Sequence, residues 1–134
     1  MSTPQDVIEQ TLISGLGGIT LFTAGESREA PEDGSQFVRL EFPGGTAEQI
    51  SLGIPGGNRY RDFAVFMLHV AVPRSAGCEG AARAIVDAAA ALFRGKQIGG
   101  VDFLAPFPAA EDTSPNGNYY GMSFGTPYQF DRIG

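Results

Sequence analysis

The sequence predicts a small α+β domain in which an antiparallel sheet of four to five strands is packed by two helices. Three observations carry this. Phe63 to Val72 is apolar at both sets of alternating positions, as in a central strand covered on each side. From Cys78 the period changes to three- and four-residue steps through Ala81, Ala82, Ile85, Ala89, Leu92 and Phe93, the mark of one buried helical face. The 19 glycines and 9 prolines among 134 residues supply the turns of a strand-rich chain. By length, residues 1–134 form a single domain, and a mixed sheet is left open beside the antiparallel one.

The first helix starts at Ser2 or Thr3. Either offers a capping oxygen, Pro4 suits the first helical position, and Asp6 complements the positive end of the dipole. Val7, Ile8, Thr11 and Leu12 make its apolar stripe, and Gly15, Gly17 and Gly18 stop it before a short extended segment at Ile19 to Phe22. The stretch 25–35 has the composition of a flexible acidic loop, with Glu26, Glu29, Glu32 and Asp33 around Arg28. Gln36 to Phe42 alternates as a half-buried strand, Pro43-Gly44-Gly45 reads as a turn, and Gln49 to Ile54 reads as the next strand. Pro55 to Asn58 turns the chain into the long central strand, with neighbours this close expected to pair antiparallel.

After the second helix, Arg94-Gly95 reads as its C-terminal cap. Gly99 to Pro106 then reads as a strand, Ala109 to Gly117 as a polar loop, and Asn118 to Phe130 as the last strand, with Tyr120, Met122 and Phe124 on one face. Pro127 interrupts that strand on this reading and places the C-terminal end at a sheet edge or against a neighbour. Tyr119 and Tyr128 are assigned to a contact between subunits, because they do not all share the face of Tyr120.

A net charge of −6 argues against binding phosphate backbones as the main task. A mildly basic middle lies between two acidic ends, as expected of a solvated surface or of opposite-sign surfaces that meet when copies assemble. Cys78 is the single cysteine, which excludes an intramolecular disulfide. Met1 to Gln10 lacks a basic stretch followed by an apolar core, and no apolar run approaches the roughly 20 residues that cross a bilayer. The expectation is an intracellular, soluble protein.

The chemistry of a catalytic site is sparse. His69 is the sole histidine and sits in the apolar strand, where a functional role requires an acid or a nucleophile on the same face. Cys78 opens a helix with no second histidine or local signature beside it. Gly15 to Gly18 follows a helix, the reverse of a nucleotide-binding loop. The pairs Glu32-Asp33 and Glu111-Asp112 lie in polar loops with nothing apolar to raise a carboxyl pKa. No catalytic, cofactor-binding or metal-binding residue is assigned, and the protein is read as an assembly part, not an enzyme.

The order of elements, together with several short strings, resembles the tail terminator (tail completion) proteins of long-tailed bacteriophages and prophages. The strings are Gln36 to Leu40 after a variable loop, Asp62-Phe63 to Val72-Pro73, Gly77 entering an alanine-rich helix that carries Asp87 and ends in Leu92-Phe93-Arg94-Gly95, and Asn118-Tyr119-Tyr120 closing on Pro127 to Asp131. The resemblance implies a structural virion protein at the head-proximal end of the tail, assembled in the host bacterial cytoplasm. Such a protein forms a hexameric ring that caps the tail tube, ends its polymerisation and presents the head-tail joining surface. Its implied partners are further copies of itself, the tail tube protein and a head-completion or neck protein, with DNA passing through the lumen without specific binding and no membrane involved. An acidic lumen is expected, so that DNA slides without sticking. Glu26, Arg28, Glu29, Glu32, Asp33, Arg39, Glu41, Arg59, Arg61, Tyr119 and Tyr128 are the expected subunit or tube contacts. The alternatives are another head-tail connector, neck or tail-tube subunit, and a small ligand-binding α+β domain with Tyr119, Tyr120 and His69 around a pocket.

Overall fold

A computed structural model describes residues 3–22, 35–49, 56–111 and 119–133. Its elements are helix α1 (Pro4–Gly15), strands β1 (Thr20–Phe22), β2 (Phe37–Gln49) and β3 (Arg59–Pro73), helix α2 (Cys78–Phe93), and strands β4 (Gln97–Ile98), β5 (Val101–Phe103), β6 (Ala110–Glu111) and β7 (Tyr119–Ile133). The described residues form an α+β fold with two helices and a sheet of seven strands, more than the four to five expected. The sheet runs β1-β2-β3-β7-β5-β4, with β6 also on β7. It is mixed: β1 lies parallel to β2 and the other pairs are antiparallel.

The added strands come from segments the sequence disguises. Gly99 and Gly100, at φ 58° and 83°, form the two-residue turn of a hairpin, so Gly99 to Pro106 is not one strand. β5 ends at Phe103, and Leu104 to Ala109 crosses to β6 without regular structure. Most of the expected strand from Gln49 to Ile54 lies outside the described residues, and Gln49 itself ends β2. Pro43-Gly44-Gly45 is not a turn. β2 passes straight through it, with a bulge between Glu41 and Gly44 that lets both halves stay paired with β3, from Phe37 opposite Ala71 to Gln49 opposite Tyr60.

Pro127 likewise leaves β7 unbroken in mid-sheet, opposite Val65. Its carbonyl accepts from the Leu104 N–H at 3.0 Å, and a residue's N–H and C=O point the same way in a strand. The missing donor therefore faces the gap between β5 and β6, where no ladder needs it.

Both helices pack on one side of the sheet. Thr3 caps α1 reciprocally: its Oγ1 accepts from the Asp6 N–H at 3.2 Å and its own N–H donates to Asp6 Oδ2 at 3.3 Å. Val7, Ile8 and Leu12 then point inward, beside Ala82, Ile85, Val86, Ala89, Ala90 and Phe93 of α2. The sheet contributes Val38, Leu40, Leu68, Val70, Val72, Met122 and Phe124 to the same core. Phe66 is fully buried at its centre, with ring centroids 4.9 Å from Phe93 and 6.3 Å from Phe103. No helix among the described residues is long and apolar enough to cross a membrane.

Candidate functional site

Among the described residues, the opposite side of the sheet carries no element beyond the loop that bears Phe107, and strand parity decides what it displays. β3 presents Arg59, Arg61, Phe63, Val65, Met67, His69 and Ala71 there, β2 presents Phe37, Arg39 and Glu41, and β7 presents Tyr119, Ser123, Gly125, Pro127, Gln129 and Asp131. The face is a half-buried apolar centre between two rows of polar groups.

In one row His69 is clamped between neighbouring strands. Its Nε2 lies 2.8 Å from Glu41 Oε2 and its Nδ1 lies 2.7 Å from Ser123 Oγ. A carboxylate only accepts, so Nε2–H donates to Glu41, and Nδ1 is hydrogen-bonded to the Ser123 hydroxyl. This acid-imidazole-hydroxyl chain is the partnership a functional histidine requires, yet it sits on a pleated surface. The acid holds Nε2 and the serine Nδ1, and Ser123 lies between β3 and β6 in the ladder. The arrangement suits a cross-strand clamp.

In the other row Arg61 grips Asp131 through two hydrogen bonds, of 2.8 and 3.1 Å. That bond, ahead of the general attraction of Arg61 and Arg59, holds the Asp131 carboxyl below its usual range. Beside it the Gln129 amide donates to Asp102 at 3.3 Å. Between the rows Gly125 leaves space that neighbours fill: a Cβ there would meet Met67 Sδ at 2.8 Å and Phe107 Cδ2 at 3.2 Å. Phe107 is 54% exposed, one of the largest apolar side chains open to solvent.

The end of the face toward β1 is aromatic. Phe22 and Phe37 lie 5.2 Å apart, Phe37 meets Tyr119 edge-on at 5.3 Å, and the Arg39 guanidinium stands 5.7 Å over Phe22 and 5.9 Å over Phe37. The Tyr119 hydroxyl donates to the Ser35 carbonyl.

Of the residues expected in a contact, Arg39, Glu41, Arg59, Arg61 and Tyr119 thus share this one face, Tyr119 largely buried within it. Tyr128 does not. Twinned with Ala64, it points to the helix side, is 4% exposed, and packs against Phe66 and Phe103. β7 keeps its alternation through Pro127, so Tyr128 shares the face of Tyr120 after all, and burial, then the Asp62 carboxylate, pushes its hydroxyl pKa up. Glu26, Arg28, Glu29, Glu32 and Asp33 lie outside the described residues. Phe63, Val65, Met67, Ser123 and Phe107 were not assigned from sequence. The two-sided apolar pattern of Phe63 to Val72 is the signal that points to the first three.

A second concavity, an open groove of about 500 Å³, lies on the helix side where β2 bulges past the first turn of α1, lined by Phe42, Ala64, Tyr128, Phe130 and Asp62. Tyr119, Tyr120 and His69 do not line it. Among the described residues no three of His, Cys, Asp and Glu converge as a metal site.

No family model matches the chain, and no curated protein matches it. Solved structures do. A chain from the virion of a native gene transfer agent particle is similar at a TM-score of 0.59 and 12% identity, over 96% of this chain and 95% of that one. Another structure, of a protein with no function in its name, is similar at a TM-score of 0.61 and 18% identity, over 96% of both chains. At these identities the likeness is one of fold, and it runs nearly end to end.

Proposed function

We propose that the protein is a structural subunit of a phage-like virion, and within it a tail terminator: a ring that caps the head-proximal end of the tail tube, ends polymerisation and offers the surface for head joining. The observation that carries this reading is the open sheet face, an apolar centre flanked by the Arg61–Asp131 and His69–Glu41 pairs, on a fold shared over nearly its whole length with a gene transfer agent virion chain. The resemblance of the sequence to terminator proteins supplies the finer role. The role is structural and no catalytic step is assigned. The partners are other copies, the tube protein and a neck protein, with the location at the upper end of the tail. DNA passes through a lumen that Arg59, Arg61 and Arg74 do not line.

A second reading has its own support. The β2–β3 pairing is one long hairpin continued past the bulge, and tube subunits use an extended hairpin to stack. The two readings part in a polymerisation assay. A terminator added to growing tail tubes shortens them and stays at one end, while a tube subunit incubated alone at rising concentration forms open tubes. Tubes of unaltered length and no end-binding reject the terminator.

A further inference from the structure

The helix-side groove beside the β2 bulge has the chemistry of a seat for a basic side chain. Asp62 is the one charged side chain among the described residues that line it, and Phe42, Tyr128 and Phe130 supply aromatic walls. The positive end of α1 at its edge is closed by the exchange between Thr3 and Asp6. An anion would meet only a like charge there, whereas a guanidinium gains a carboxylate and the negative faces of the rings. Tyr128 adds an open acceptor. It is 4% exposed, with its ring fixed against Phe66 and Phe103, yet its hydroxyl makes no hydrogen bond among the described residues. Burial, then the Asp62 carboxylate, keeps that hydroxyl neutral, and its lone pairs can accept from an incoming N–H.

We infer that this groove receives the Arg74 side chain of a second copy of the same chain, an inference that rests on the ring reading above. The other described cations are already occupied. Arg61 holds Asp131, Arg83 holds Glu79, Arg39 lies over Phe22 and Phe37, and Arg59 also has a partner. Arg94 and Lys96 follow the last turn of α2, whose carbonyl end attracts a cation. Arg74 instead stands exposed in the turn from β3 to α2, followed by the small exposed residues Ser75, Ala76 and Gly77, and makes neither a hydrogen bond nor an ion pair among the described residues.

Arg74 cannot reach the groove of its own chain. It lies at the far end of β3 from Asp62, roughly 40 Å away at ~3.3 Å per residue. The turn and the groove are different surfaces of one molecule, so their contact is heterologous, joins copies head to tail, and closes into a ring when the rotation completes. It also holds Arg74 inside the contact and away from the lumen.

The test uses disulfides in the full chain with Cys78→Ala as background. Arg74→Cys and Thr46→Cys, the latter at an exposed position of the groove's rim, are made singly and together and oxidised mildly, in solution and on added tail tubes, while light scattering and negative-stain images follow assembly. The double variant is expected to yield a ladder of linked species ending at the ring, with neither single variant doing so. Linked dimers from Arg74→Cys alone overturn the inference in favour of turn-on-turn contact. Rings without a ladder overturn it and leave the ring reading standing, while neither ring nor ladder removes both. Arg74→Glu, a change in an exposed turn, is expected to weaken assembly about tenfold or more with an unchanged circular dichroism spectrum. Unaltered assembly of that variant also overturns the inference.

Discussion

Arg61 and Asp131 stand opposite each other on β3 and β7, and the guanidinium holds both carboxylate oxygens at 2.8 and 3.1 Å. This pair fastens the ends of the two longest strands on the face turned away from the helices. Because the hydrogen bond lowers the Asp131 pKa, its contribution is present above the unfolded carboxylate value of about 3.9 and is lost as the pH falls through the lower folded value. Asp131→Asn should therefore be less stable than the parent at neutral pH, with the gap closing toward pH 2. The gap should also narrow in high salt, since both side chains are about one-third exposed, at 34% and 32%. Urea melts of the two proteins across that range measure it. A gap independent of pH would assign the effect to packing.

Thr126 is fully buried on the core side of β7 opposite Phe66, and its Oγ1 has no hydrogen-bond partner among the described residues. A hydroxyl in that position costs desolvation without return. Thr126→Val should raise stability by about 1 kcal/mol, read from the denaturant midpoint at constant slope.

Glycines 45 and 80 should respond in opposite directions to the same methyl. At Gly45 a Cβ would lie 2.0 Å from the Phe63 carbonyl oxygen and 2.6 Å from Ala64 Cα, so the backbone of the bulge would have to open. Gly45→Ala should lose about 1–3 kcal/mol. Gly80, in the first turn of α2, has nothing within 4 Å, and Gly80→Ala should gain about 1 kcal/mol from helix propensity. Thermal unfolding of both variants checks the signs.

Phe66 joins α2, β5 and β7 through Phe93, Phe103 and Tyr128. Phe66→Ala should cost about 3–5 kcal/mol, a large share of the ~5–15 kcal/mol that holds a domain folded. Phe66→Leu should cost clearly less. Equal losses would show that the edge-to-face geometry, and not filled volume, sets the energy.

The helices were legible because their signals are local. Thr3, Pro4 and Asp6 mark one start, and the period through Ala82, Ile85, Ala89 and Phe93 marks the buried side of the other. The single error there was Ala81, which follows the same period one position off the face and is exposed. The sheet was less legible because its rules are set by partners. Pro43-Gly44-Gly45 is strong turn chemistry, yet continuous pairing on both sides of it with β3 makes it a bulge. Pro127 is strand-breaking in isolation, and it is harmless where its donor side faces a gap. The His69 clamp needed residues 28 and 54 positions away, brought together only by register. The open face itself was foreshadowed by the apolar residues on both sides of Phe63 to Val72.

The proposed role requires that the chain assemble into a closed ring that docks on a tail tube. Light scattering of the 14.1 kDa chain over a concentration series, with negative-stain images, tests it most directly. The account predicts a closed species of about six copies, in solution or at one end of added tail tubes. A strict monomer that leaves tube ends bare would contradict it.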